Sequence, residues 1–160
     1  MFDYIHPMIV HFPIALLIVG LLADFIGLIS KKEFFSNAGF YLLILGTLGV
    51  VAAFITGQSA GEGVTETGSL KLALENHEDA AQLSIWLMSA AALVRIMFVA
   101  IKKYSGVLKW IAFALFLIGV LSIARTGYFG GELVFKHAAG VHFTVGLESL
   151  DSQNFNTDGD

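Results

Sequence analysis

The sequence contains no cysteine, so disulfide bonds, thiolate-bound iron–sulfur or copper centres, and haem attached through Cys-x-x-Cys-His are all excluded. A redox cofactor in this chain must therefore be held by histidine, methionine or oxygen ligands. Motifs that pair a nucleophile with a base, and the helical metalloprotease signature, are also missing. We therefore expect an electron-transfer or cofactor-binding subunit rather than a stand-alone enzyme.

Charge is also scarce: charged residues make up 14% of the 160 residues, whereas hydrophobic residues make up 56%. With this composition a water-soluble fold would have too little polar surface to cover itself. The lipid bilayer is therefore the predicted surrounding. The net charge of −4 argues against nucleic acid as a partner.

Four apolar stretches approach the roughly 20 residues that a helix needs to cross the hydrocarbon core. Their connections are mostly short, and short connections join antiparallel neighbours. We predict an all-α integral membrane protein, an antiparallel up-down four-helix transmembrane bundle within residues 1–147, followed by a polar, acidic C-terminal tail at residues 148–160. No internal repeat is evident. The predicted spans are Met8–Ile29, Ala38–Thr56, Ala80–Ile101 and Val107–Ile123.

The distribution of charge predicts the orientation in the membrane. Lysines gather in the first and third connections, whereas acidic residues dominate the opposite side of the bundle. By the positive-inside rule, both termini should lie outside, on the periplasmic side of a bacterial inner membrane. The lysines are Lys31, Lys32, Lys102, Lys103 and Lys109.

All five histidines fall at one predicted face of the membrane. His6 and His11 open the first span, His77 opens the third, and His137 and His142 follow the fourth. Five residues separate the members of each close pair, which turns their side chains roughly 140° apart on a regular helix. Each histidine should therefore face a partner on another helix, an arrangement that suits a haem with two axial imidazoles. The alternative is that these histidines sit at the interface and bind carbonyls and water.

Local signals place these histidines near helix starts. Asn76 is a good N-cap, with Asp79 three residues further on, so we expect His77 in the first helical turn. Pro7 and Pro13 predict the same for the first pair. The positive end of the helix dipole favours neutral imidazole, which is the form that binds metal.

The segment after the fourth span is rich in glycine. Glycines 127, 130 and 131 predict a bend, after which a short amphipathic piece ending at His137 folds back across the mouth of the bundle. A plain helix C-terminus is the alternative. Arg125 and Lys136 could bind anionic groups there, either haem propionates or lipid phosphates.

Two further features lie within the spans or, for some of the glycines, at the exit of the second span. Asp24 and Arg95 are placed at similar depths, and we expect a structural ion pair or snorkelling rather than a proton path. Glycines 46, 49, 57 and 61 predict close helix packing, with space for a macrocycle as the alternative.

The histidine-containing segments resemble a known family. The stretch His6-Pro-Met-Ile-Val-His11-Phe-Pro13, the lone His77, and the stretch from Thr126 to His137 look like the bacterial membrane family catalogued as domain of unknown function 2231. The resemblance implies a four-span fold and a shared set of histidines, matched here by His6, His11, His77 and His137. It also implies electron transfer, because relatives are found joined to Rieske and cytochrome modules. Members often have His-Gly after the final bend, whereas this chain reads His137-Ala-Ala-Gly; His142 lies outside the shared pattern.

These observations lead to three functional hypotheses. The first is a b-type cytochrome-like subunit that holds one or two haem b groups near the outer face and has a redox protein or a quinone as its partner. The second is a haem-free protein that binds copper or zinc. The third is a structural subunit of a larger membrane complex. The candidate ligands in the first two hypotheses are His6, His11, His77 and His137.

Overall fold

The computed structural model describes residues 5–61 and 68–138, and this part of the chain is almost entirely helical. Each helix contains a stretch long and apolar enough to cross a membrane. These findings confirm the predicted all-α, four-helix membrane protein. The predicted tail at residues 148–160 and the predicted role of His142 lie outside the described residues. The helices are α1 (Ile5–Ser30), α2 (Glu33–Gly61), α3 (Ser69–Ala100) and α4 (Val107–His137).

Helix α3 begins well before the predicted third span. Leu70, Ala73, Leu74 and His77 are half-buried on one face, while the residues between them are exposed. This spacing is that of an amphipathic helix, which continues the span beyond its most apolar part. The prediction that Asn76 caps the helix and that His77 lies in its first turn was therefore wrong.

The predicted bend after the fourth span was also wrong, because α4 continues as one helix to His137. Gly130, Leu133 and His137 follow one another at helical spacing and face inward, with Leu133 buried. This inward stripe holds the segment in helical form despite its glycines. The helix ends at Ala138, whose φ of 50° is left-handed.

Contacts along the helices define the arrangement of the bundle. Helix α1 packs chiefly against α2, and α3 packs chiefly against α4, while contacts from α2 to α3 and from α1 to α4 complete a ring. Pro13 packs on Gly49, and Gly27 near the end of α1 packs on Ser36 near the start of α2. These two helices therefore run in opposite directions. Ser84 and Ser122 are in contact between α3 and α4.

The middle of the bundle is a compact apolar layer built from Leu17, Leu43, Met88 and Phe116. Glycines make room for the two long side chains: a Cβ atom at Gly46 would lie 2.5 Å from Leu17 Cδ2, and one at Gly119 would lie 2.5 Å from Met88 Sδ. The predicted close packing at Gly46 is thereby confirmed.

The outside of the bundle is apolar as well. Large hydrophobic side chains on all four helices are exposed, among them Phe12, Tyr41, Trp86 and Leu121. Monomeric soluble proteins rarely expose such continuous apolar surface. The lipid bilayer is the solvent that covers it, as the composition predicted.

Candidate functional site

Two of the predicted histidines come together at one end of the bundle. His6 on α1 and His77 on α3 are both half-buried, and they lie close enough for the charge of one to act on the other. Around them are the end of α2 near Thr56 and the part of α4 near Thr126. We call this region, formed by these four residues, the histidine end.

The His77 imidazole is held by a backbone carbonyl of α4. Its Nδ1 lies 3.2 Å from the carbonyl oxygen of Thr126. A carbonyl can only accept a hydrogen bond, so Nδ1 must carry the proton and donate. In the neutral ring Nε2 is then the unprotonated nitrogen, which is the form that can bind a metal. Metal-binding histidines commonly have this second hydrogen bond to a carbonyl.

His6 has a matching environment on the other pair of helices. Its Nδ1 lies 3.2 Å from Thr56 Oγ1, and the backbone of Ala53 is close to its ring. The Thr56 hydroxyl donates to the carbonyls of Ala52 and Ala53 at 3.0 Å, so its oxygen is free to accept from His6. With the Thr56 hydroxyl donating to those carbonyls, neutral His6 also has Nε2 as its unprotonated nitrogen.

Each of these rings packs against a glycine. A Cβ atom at Gly57 would lie 2.9 Å from His6 Cε1, and one at Gly130 would lie 3.2 Å from His77 Cε1. At Gly57 that separation is shorter than side-chain contacts allow, so the imidazole can sit directly on the helix backbone only because no side chain is present. These glycines fix where the rings lie.

A buried chain of hydroxyl groups begins beside His77. Ser84 Oγ lies 2.7 Å from Ser122 Oγ and 2.9 Å from Thr126 Oγ1, and Thr126 Oγ1 donates to the Ser122 carbonyl. Sequence reasoning missed this network. The signal was there, since Ser84 lies two helical turns after His77 and Thr126 one turn after Ser122, so each pair shares a helix face.

The other two predicted ligands are placed differently. His11 is exposed, and its Nδ1 donates to the carbonyl of Pro7, one turn earlier on the same helix, at 2.7 Å. His137 is half-buried at the last residue of α4. Within residues 5–61 and 68–138, no three histidine, aspartate or glutamate side chains are grouped to hold a metal ion. The structure brings His6 and His77 together, but it does not bring His11 to them.

Arg125 and Lys136 both have partners on α4 itself. The Arg125 guanidinium lies 5.4 Å from the centre of the Phe129 ring. Lys136 Nζ donates to Glu132 Oε1 at 2.6 Å, one helical turn away. Binding of an anionic group by either residue remains a prediction.

A buried ion pair occupies the opposite end of the bundle. Arg95 donates to both carboxylate oxygens of Asp24, at 2.9 and 3.1 Å, and to the carbonyl and hydroxyl oxygens of Ser36. The Tyr104 ring covers the guanidinium, with its centre 3.6 Å away. The predicted structural ion pair is confirmed. We call Asp24 and Arg95, with Ser36 and Tyr104, the ion-pair end.

A family model described as predicted membrane protein (DUF2231) matches residues 3–144, which include every residue of both ends. The chain belongs to this family. No curated protein and no solved structure matches the chain closely enough to indicate a relationship. What this DUF2231 protein does must therefore be argued from its own side chains.

Proposed function

We propose that this DUF2231 protein is a b-type cytochrome-like subunit that holds one haem b between His6 and His77. The observation that supports it most is the matching placement of the two rings: the Nδ1 atom of each lies 3.2 Å from a hydrogen-bonding oxygen of a neighbouring helix, which leaves Nε2 as the nitrogen that would bind iron. The residues fit the group, because a bis-imidazole haem needs two neutral imidazoles from facing helices.

The number of nearby ligands favours haem over copper or zinc. Protein zinc sites take three or four protein ligands, whereas no group of three candidate ligands occurs in the part of the chain that the structure describes. A haem brings four nitrogen ligands of its own and needs only two from the protein. His11 is exposed and turned to its own helix, so the proposal uses one haem rather than two.

Electron transfer is the chemistry that such a site supports. A bound haem would supply a one-electron couple, His6 and His77 would hold it, and the apolar residues beneath them would exclude water. The proposal includes the predicted topology, with both termini outside a bacterial inner membrane, and a redox protein or quinone at the outer face as partner.

The test is a visible absorption spectrum of the purified full-length protein, expressed with haem supplied. The parent should show a Soret band with the split α and β bands of two-imidazole ligation. His6→Ala and His77→Ala should each lose that spectrum, and added imidazole should restore it in His77→Ala. His11→Ala is the matched control, because it removes an exposed imidazole from the same helix as His6, and it should keep the spectrum.

Two results would overturn the proposal. One is a parent protein that is folded, saturated with supplied haem and still has no Soret band. The other is loss of the spectrum in His11→Ala together with its retention in His77→Ala. Elemental analysis of the same samples distinguishes the proposed haem protein from a copper or zinc protein, which would contain metal without porphyrin.

A further inference from the structure

Helices α1 and α3 bury the same pattern of positions. Pro13, Leu17, Gly20 and Asp24 are buried on α1, and Ser84, Met88, Ala91 and Arg95 are buried on α3. Taken in this order, each α3 residue lies the same number of positions further along the sequence than its α1 counterpart. His77 follows His6 by that same number of positions. The two helices therefore present equivalent faces to the bundle, although few of the paired residues are chemically alike.

Their partner helices correspond in the same way. Leu17 packs into the space at Gly46 of α2, and Met88 packs into the space at Gly119 of α4. Gly57 and Gly130, which lie under the two imidazoles, are separated by the same number of positions as Gly46 and Gly119. This separation is the offset between α2 and α4.

The backbone groups that hold the rings obey this offset as well. The backbone of Ala53 is close to the His6 ring, and the carbonyl of Thr126 is hydrogen-bonded to the His77 ring. Contacts at two levels of the bundle, the apolar layer and the histidine end, thus repeat with one alignment.

We infer that the chain consists of two equivalent hairpins, α1–α2 and α3–α4, related by a pseudo-two-fold axis along the bundle, and that Asp24 and Arg95 are positioning residues that set their register. Asp24 and Arg95 occupy equivalent positions and bind each other directly, so the axis passes between them. At the other end the same axis passes between the equivalent residues His6 and His77. Parallel repeats related by an axis along the membrane normal are a known architecture of membrane proteins.

The ion pair is suited to this positioning role. Contacts between the hairpins are far less extensive than those within each hairpin, and lipid supplies no hydrophobic force to draw apolar helices together. The Asp24–Arg95 pair joins the hairpins by two charge-assisted hydrogen bonds, whose geometry allows a single register. The same register places His6 opposite His77. The consequence of this register for ligand binding rests on the proposed function.

Because the two positions are equivalent, exchanging the charges should preserve the pair. The test compares the parent with Asp24→Arg, Arg95→Asp and the exchange variant that carries both changes. The chain has no native cysteine, so register is read by introducing Ile14→Cys and Ala124→Cys, which line one groove between α1 and α4, and adding a short bifunctional thiol reagent to membranes. Ser84→Cys with Ser122→Cys, within the second hairpin, is the matched control.

Each single variant should keep the control cross-link and lose the cross-link between hairpins by about tenfold or more, because it buries two like charges side by side. The exchange variant should return that cross-link to near the parent level. If a single variant does not accumulate in the membrane, accumulation of the exchange variant is the deciding result.

Three outcomes would overturn the inference: an exchange variant that cross-links no better than the single variants, an exchange variant that does not accumulate, or single variants that cross-link like the parent. Haem content is measured on the same membranes. Absence of haem in a parent that cross-links normally would refute the proposed function and leave the pseudo-symmetry standing.

Discussion

Single glycines decide how closely the helices of this bundle approach. At Gly46 a Cβ atom would lie 2.5 Å from two atoms of the buried Leu17 side chain. Interiors packed at crystal-like density have no free volume to absorb such an overlap. Leu17 can therefore occupy this position only because Gly46 has no side chain.

This contact gives a prediction for a pair of substitutions. Gly46→Ala should destabilise the protein by about 1–3 kcal/mol through overpacking, and Leu17→Ala should cost about 2–5 kcal/mol through the cavity that it leaves. The double variant should cost at least about 1 kcal/mol less than the two effects combined, because the added methyl occupies space that Leu17 vacates. Unfolding in mixed micelles titrated with a denaturing detergent measures all three. Strict additivity would show that the two residues do not compete for one space.

For individual residues, the sequence indicated which side chains matter better than it indicated which of them contact one another. Five histidines, four span glycines and a charged pair could all be recognised from the sequence. Which histidines meet could not, because the direction of a side chain at a helix end depends on where the helix begins. His77 lies two helical turns inside α3 rather than in its first turn.

The helices as elements were predicted in number and type, but not in length. Hydropathy identifies the part of a helix that lies in hydrocarbon, whereas α3 and α4 continue as amphipathic helix beyond that part. In α4, the inward-facing Gly130, Leu133 and His137 outweigh the weak helix propensity of the glycines. A local signal for a bend was overridden by packing, as tertiary context commonly overrides propensity.

The continuous α4 gives a prediction at two glycines that have open space beside them. Cβ atoms at Gly127 and Gly131 would meet no neighbouring atom within 4 Å. Gly127→Ala and Gly131→Ala should therefore stabilise the protein, each by up to about 1 kcal/mol, by raising helix propensity. Detergent-induced unfolding monitored by circular dichroism measures the change. Gly46→Ala serves as the contrasting glycine variant, and destabilisation by Gly127→Ala would indicate a bend with left-handed backbone.

For the whole molecule, the orientation in the membrane is a prediction that remains open to measurement. The lysines of the first and third connections should face the cytoplasm, which places the ion-pair end inside and the histidine end outside. A phosphatase reporter fused after residue 160 should be active in the periplasm, whereas the same reporter inserted at Gly106 should be inactive. The reverse pattern would move the candidate site to the cytoplasmic face.

The apolar layer of Leu17, Leu43, Met88 and Phe116 separates the two ends of the molecule. His77 and Arg95 lie about 27 Å apart along α3 at the rise of an ideal helix, and this layer lies between them. If the proposed function holds, an electron that enters and leaves at the histidine end crosses none of the membrane's electrical thickness. Its transfer would then do no work against the membrane voltage, and its driving force would stay the same in energised and de-energised cells.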